Sequence, residues 1–205
     1  MSQMWPNPEA YFREFLPKRD QLLHDLEQEA RREGIPIVGP VVGELLFILA
    51  RVTGAVQVLE LGTATGYSAI YLARGCEPTG GRIITLEMDK AMAARAQRNL
   101  EKAGLSQRVE VRPGEALRLM AGLTGPFDFI FMDIDKESYS PALPHCQRLL
   151  KIGGLLVTDN VGFAGAAAFN REIFASEDWR TVHLLGFLPN HSPEHDGLSL
   201  AVRVK

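Results

Sequence analysis

Cysteine is scarce in this chain. Cys76 and Cys146 are the two thiols among 205 residues, far apart and outside any C-x-x-C pair, which argues against a disulfide framework or a thiolate metal site. Free thiols of that kind suit a reducing cytoplasm, the location expected here. Long apolar runs are missing too. The longest apolar region, around Leu45 to Ala50, is bounded by Glu44 and Arg51 and is too short to cross a bilayer. The opening MSQMWPNPEAYFREF has no basic segment followed by an apolar core and a small-residue cleavage site, so no secretory signal is read there. Neither charge sign dominates: 22 Lys and Arg against 25 Asp and Glu leave a net charge of -3, without the general basic character of a protein that lives on nucleic acid. Trp5 and Trp179 have no aromatic partners at regular spacing and read as packing residues. No internal repeat or low-complexity segment occurs.

What is present is enough apolar material, 46% of the residues, for a single sizeable core. The expected organisation is one domain over residues 1–205, with a helical extension at 1–34 and a Rossmann-like core at 35–205. In the extension, Phe12, Phe15, Leu16, Leu22, Leu23 and Leu26 among charged residues predict one or two amphipathic helices broken near Pro17. A further helix starts near Pro40. Strands and helices then alternate: strand Val56–Leu61, helix Tyr67–Arg74, strand Arg82–Glu87, helix Lys90–Ala103, strand Val109–Arg112, helix Glu115–Ala121, strand Phe127–Met132, helix Tyr139–Leu150, strand Leu155–Thr158, helix Ala166–Ser176. Such alternation implies right-handed crossovers and a parallel sheet covered by helices on both faces. Two last strands, Arg180–Leu188 and Leu198–Val204, flank the turn-rich PNHSPEHDG and predict an antiparallel hairpin at a sheet edge.

The stretch VLELGTATGYSAIYLA, from Val58 to Ala73, reads as a buried strand, a glycine turn and a helix start. Glycine at the carboxyl end of a strand lets backbone approach a ligand, and the next helix presents unpaired N–H groups. The spacing Gly62-x3-Gly66 is not G-x-G-x-x-G, which argues against a dinucleotide and a dehydrogenase and for a cofactor without a pyrophosphate. Glu87, at the end of the strand RIITLE, is placed to accept hydrogen bonds from two ribose hydroxyls, while Asp89 serves as the helix cap.

Glu60, Gly62 and Gly66 match the first motif of the class I S-adenosylmethionine-dependent methyltransferases, which this segment resembles. The resemblance implies an α/β, Rossmann-like seven-stranded sheet, mostly parallel with an antiparallel last strand. It implies that Ser68, at a helix N-terminus that favours an anion, meets the methionine carboxylate. It further implies that Gly114-Glu115-Ala116 forms the adenine-side turn, with Ala116 against the base, and that Val38 lines the cofactor entry. Glu115 also suits a first-turn helix carboxylate.

FDFIFMDIDKESY sets Asp133, Asp135 and Lys136 at the end of an otherwise apolar strand, and GGLLVTDN ends in Asp159 and Asn160. Carboxylates buried there need a cation or donors to meet them. Adjacent strand ends would bring Asp133, Asp159 and Asn160 together as oxygen ligands of a hard ion, magnesium or calcium, and not zinc. F-x-D-x-D-K followed by T-D-N resembles the cation-dependent O-methyltransferases that include the catechol and caffeoyl-coenzyme A enzymes and bacterial relatives. That resemblance, covering about Ile35 to Gly165 and the two-strand finish, implies that Asp133, Asp159 and Asn160 hold the metal and that Lys136 is the general base. Asp133 is then a catalytic and cofactor-side residue as well, and Asp135 lies near the cofactor's amino group. A metal-bound hydroxyl loses its proton more readily, and the sulfonium methyl passes in line to the oxygen.

The chain departs from that pattern in two places. VGFAGAAAFNREIF enters a helix almost at once, without a long loop to cover the substrate, and PNHSPEHDG is longer than the usual turn before the last strand. His191 and His195 have i, i+4 spacing, but Pro193 argues against the single helix that would align them, so they read as loop histidines and not as a zinc site. The substrate expected is a small aromatic with adjacent hydroxyls. Two alternatives stand beside it: methylation of a hydroxylated uridine in transfer RNA, using arginines such as Arg13, Arg31 and Arg32, and a non-catalytic cofactor-binding module. Family resemblance also implies a homodimer through the N-terminal helices.

Overall fold

In the computed structural model, which describes residues 3–205, two helices, α1 (Pro8–Arg13) and α2 (Gln21–Glu33), precede α3 (Gly39–Val52) and an alternating α/β series. The series runs β1 (Gln57–Leu61), α4 (Tyr67–Gly75), β2 (Arg82–Glu87), α5 (Lys90–Lys102), β3 (Val109–Pro113), α6 (Ala116–Gly122), β4 (Phe127–Met132), α7 (Tyr139–Leu149), β5 (Leu150–Thr158) and α8 (Ala167–Ala175). It ends in the hairpin β6 (Trp179–Phe187) and β7 (His195–Arg203). Local chemistry sets many of these boundaries. The Asp20 carboxylate caps α2 by accepting from the Leu23 amide at 3.0 Å, and Gly34 ends that helix in the left-handed region at φ 66°. Asp89 caps α5 through the Met92 amide, and Glu115 caps α6 through the Leu117 and Arg118 amides.

The strands form one seven-stranded sheet in the order β3-β2-β1-β4-β5-β7-β6. β1 to β5 pair in parallel, whereas β7 lies antiparallel between β5 and β6. The last strand is therefore inserted, and β6 forms the edge. Strand alternation sends Val58, Phe129, Phe131 and Val157 to one face, against α3 and α4, and Leu59, Leu61, Ile130, Met132 and Leu156 to the other, against α6, α7 and α8. Both layers are closed to solvent at their centre, with Phe129, Phe131, Ile130 and Met132 fully buried.

Two strand boundaries differ by more than one residue from those the sequence predicts. β5 begins at Leu150 and runs through Gly153 and Gly154, where pairing with β4 continues across a register shift between Phe127 and Phe129. The glycines mark an irregularity inside the strand and not its start. β7 begins at His195, because Phe187 of β6 pairs with it and draws the end of the turn segment into the ladder.

Strand order reverses between β1 and β4, where the carboxyl ends of neighbouring strands open a crevice. Ladder hydrogen bonds continue one residue past the strands. The Gly62 amide donates to Leu86, the Asp133 amide to Leu61, and the Asp159 amide to Met132 at 3.0 Å. The first residue after each of β1, β4 and β5 is thereby fixed in line with its neighbours.

Candidate active site

A cavity of about 350 Å³ occupies this crevice. On its β1–β3 side it is lined by Gly62, Thr63, Ala64, Ser68, Glu87 and Ala116, and by Val38 from the segment entering α3. On its β4–β5 side it is lined by Asp133, Asp135, Lys136, Asp159 and Asn160. Of the residues singled out in the sequence, Glu60 and Gly66 do not line it.

Glu60 shares its strand parity with Val58 and points into the core, where it is fully buried. Burial pushes its carboxyl up to about 7, against the hydrogen bond from Thr85, whose hydroxyl donates at 2.5 Å. Thr63 continues that chain through its hydroxyl, 2.6 Å from that of Thr85. Glu60 thus underpins the turn from below. Gly66 begins α4 at φ 85° and packs against Ala96. Gly62 has φ 92°, and a Cβ there would collide with the carbonyl of Asp133.

The Glu87 carboxylate accepts the amides of Ala64 at 2.8 Å, Thr63 at 3.2 Å and Asp89 at 2.9 Å. It holds the glycine turn while still facing the cavity. Tyr67, also in the lining, donates its hydroxyl to Glu27 of α2 at 2.7 Å, and Glu27 is paired with Arg19 at 3.0 Å. Helix α2 is tied in this way to the β1–β3 side of the cavity.

On the β4–β5 side Asp133, Lys136, Asp159 and Asn160 each have a hydrogen-bonded side-chain partner. Lys136 Nζ donates to Asp133 Oδ1 at 3.0 Å and to the Ile134 carbonyl at 3.1 Å. Burial and the neighbouring charge of Asp159 push the Asp133 carboxyl up, opposed by Lys136. Asn160, in the left-handed region at φ 52°, donates its amide nitrogen to Asp196 at 2.5 Å, which leaves Oδ1 as the atom available to a ligand. Tyr139 donates its hydroxyl to the Asp159 carbonyl at 2.9 Å.

His191 lies in the loop, as the sequence reads it, but its contact with Asp159 was not foreseen. Its ring lies in the cavity wall with Nε2 at 2.8 Å and 3.1 Å from the two oxygens of Asp159, both side chains being only 1% exposed. Burial lowers the affinity of the imidazole for a proton, but the hydrogen bond and charge of Asp159 outweigh it, so its pKa is raised. His195 opens β7 instead, with Nε2 3.2 Å from Glu9. Asp196, also missed, bonds Asn160 and the amides of Gly162 and Gly197. The extra length of PNHSPEHDG was the visible signal for both.

Asp133, Asp159 and Asn160 present oxygen donors, which fit a hard cation, and two carboxylates in one buried crevice repel each other in a way that a cation would relieve. Among the described residues no three His, Cys, Asp or Glu side chains are arranged as a metal cage; the set takes its third donor from an amide. No helix among the described residues is long and apolar enough to cross a membrane.

Known proteins resemble this chain in sequence and fold. The family model described as O-methyltransferase matches residues 16–184. A catechol O-methyltransferase of Niastella koreensis is 34% identical, with 98% of each chain covered. Among solved structures, an O-methyltransferase from Bacillus cereus in complex with SAH superposes with a TM-score of 0.85 at 32% identity, covering 96% of both chains. TomG from Streptomyces achromogenes, involved in tomaymycin synthesis and solved in complex with SAM, gives a TM-score of 0.85 at 29% identity over 97% of this chain and 96% of its own. The seven-stranded sheet, the glycine turn facing a cavity and these matches together make the chain a member of the S-adenosylmethionine-dependent O-methyltransferase family.

Proposed function

We propose that this enzyme transfers the methyl group of S-adenosylmethionine to one hydroxyl of a small catechol-like aromatic, with a divalent cation, magnesium in the first instance, on the acceptor side. One observation carries the reading: Asp133, Lys136, Asp159 and Asn160 line the same cavity as Ser68, Glu87 and Ala116, acceptor chemistry beside cofactor chemistry. The name of the Niastella koreensis relative supports the substrate class.

In this reading Glu87 binds the ribose hydroxyls, Ala116 packs against the adenine, and Ser68 with the start of α4 receives the methionine carboxylate. Val38 and Asp135 complete the cofactor side. Asp133, Asp159 and the Oδ1 of Asn160 would hold the cation, which when bound makes the acceptor hydroxyl more acidic. Lys136 Nζ takes that proton as the oxygen attacks the methyl carbon, the carbon–sulfur bond breaks, and its electron pair returns to sulfur. The residues contribute chiefly by holding oxygen, methyl and sulfur in line. A homodimer built on the N-terminal surface, where Trp5, Phe12 and Phe15 are exposed, and a cytoplasmic location belong to the same proposal.

The test is methyl transfer from labelled S-adenosylmethionine to a catechol panel and to bulk transfer RNA, each with magnesium and with chelator. Magnesium-dependent labelling of a catechol is expected. Labelling that survives chelation would remove the cation from the reading. Labelling of RNA alone would replace the acceptor, and cofactor binding without labelling of either would refute both acceptors.

A further inference from the structure

The turn between β6 and β7 is built more rigidly than its polar sequence suggests. The Glu194 carboxylate receives both guanidinium nitrogens of Arg13 from α1, at 2.8 Å and 2.5 Å, and the Asn190 amide at 2.8 Å. Within the turn the Leu188 amide donates to the Glu194 carbonyl at 2.7 Å, and the His191 amide to the Leu188 carbonyl at 2.9 Å. The Asn190 carbonyl sits where a side chain on Gly39 would be, so the start of α3 packs directly on the turn. Glu9 reaches His195, and the Arg13 guanidinium lies 4.9 Å from the centre of the Phe187 ring. Helix α1 is thus fastened to this hairpin at three points.

The group so delivered is the His191 ring. Nδ1 lies 2.6 Å from the Pro193 carbonyl, which only accepts, so Nδ1 carries a hydrogen and the ring is oriented with Nε2 toward Asp159. Nε2 reaches both oxygens of that carboxylate. A carboxylate held through both oxygens in this way is fixed in one orientation in the cavity wall, and the groups that orient a ligating carboxylate govern how well it binds an ion.

We propose that His191 is a positioning residue that fixes the Asp159 carboxylate toward the acceptor, and that Arg13 of α1, acting through Glu194, is the latch that keeps it there. The inference rests on the reading of Asp159 as an acceptor-side ligand. It makes the N-terminal helix part of the acceptor machinery, although α1 contributes nothing to the cavity wall.

The experiment compares wild type with His191→Ala, His191→Gln and Arg13→Ala. Its readouts are manganese affinity by electron paramagnetic resonance, S-adenosylmethionine affinity by calorimetry, catechol kinetics, and amide exchange at Asn190 and His191. Loss of a group that orients a ligand costs about tenfold to a hundredfold in metal affinity, and that loss is expected for His191→Ala. Partial recovery is expected in His191→Gln, whose amide can still donate, with cofactor affinity unchanged in both. Arg13→Ala should speed exchange at Asn190 and His191, weaken manganese binding less than His191→Ala does, and lower catechol kcat/KM. Wild-type manganese affinity in His191→Ala would overturn the positioning role, and wild-type exchange in Arg13→Ala would overturn the latch. Cofactor affinity falling together with metal affinity would show general loss of structure and overturn the specific role. Failure of the wild type itself to bind manganese would instead sink the cation reading, leaving amide exchange and catechol kinetics to decide the latch.

Discussion

The Glu87 carboxylate and the Ala64 amide, 2.8 Å apart, join the end of β2 to the turn after β1. The acid proposed to meet a ribose therefore also sets the shape of the turn after β1. Glu87→Ala should raise the dissociation constant for S-adenosylmethionine by about tenfold to a hundredfold, the size of one or two lost charge-assisted hydrogen bonds. Calorimetry is the check, and unchanged affinity would remove Glu87 from the cofactor side.

Asp159→Ala should behave in the opposite way, abolishing turnover and leaving cofactor affinity near that of wild type. The same calorimetry paired with a methyl-transfer assay separates the two sides of the cavity. Equal losses of cofactor affinity in Glu87→Ala and Asp159→Ala would mean that the cavity does not divide as assigned.

Lys136→Ala should slow transfer most for the acceptors whose hydroxyls are least acidic, because those depend most on a base. A series of ring-substituted catechols gives the slope of rate against acidity. A slope equal to that of the wild type would take the proton away from Lys136.

Glu60 offers a pH signature. Its carboxyl rises from an ordinary 4.5 to about 7 on folding, so the folded chain binds a proton there that the unfolded chain does not. Its contribution to stability is therefore fullest below pH 4.5, declines as pH rises through the interval, and is flat above about 7. Glu60→Gln removes that decline. The variant should gain on the wild type across the interval, by on the order of 3 kcal/mol at pH 8. Urea midpoints of both proteins from pH 5 to 8 measure it, and a constant difference would contradict the assignment.

The two glycines of the first turn should respond differently to alanine. At Gly62 the added carbon meets the Asp133 carbonyl, so Gly62→Ala must move β4 against β1 and should lose cofactor binding and several kcal/mol of stability. At Gly66 the nearest atoms belong to Ala96, at 3.5 and 3.6 Å, which is ordinary contact. Gly66→Ala should cost only the backbone strain, about 1 to 2 kcal/mol. Thermal melts of the two variants with and without S-adenosylmethionine make the comparison.

The glycine turn and its support at Glu87, the side proposed for the cofactor, were legible in the sequence because their determinants are local. Strand β1, the turn at Gly62, and Glu87 at the end of β2 follow one another within a single β-α-β unit, and alternation names the faces. The same alternation, applied to Glu60 through its parity with Val58, would have placed that carboxylate in the core; motif matching drew it into the cofactor list instead. Asp133 and Asp159 were legible as strand ends because polar residues interrupt apolar runs there. His191 was not, since its position depends on α1, the start of α3 and β5 meeting around one turn, and no periodicity carries that information. The extent of β5 was obscured by Gly153 and Gly154, which resemble a break until β4 is seen to pair across them.

The insertion of β7 between β5 and β6 has a consequence for assembly. The turn after β1, Glu87 and Ala116 all belong to about the first half of the chain, joined by strands β1 to β3. Asn160 reaches its final hydrogen bond only when Asp196, at the start of β7, arrives beside it, and Asp159 waits for His191 from the same hairpin. As the chain emerges in order, most of the residues that would hold the methyl donor are made early, and the hairpin that completes the acceptor side is made last.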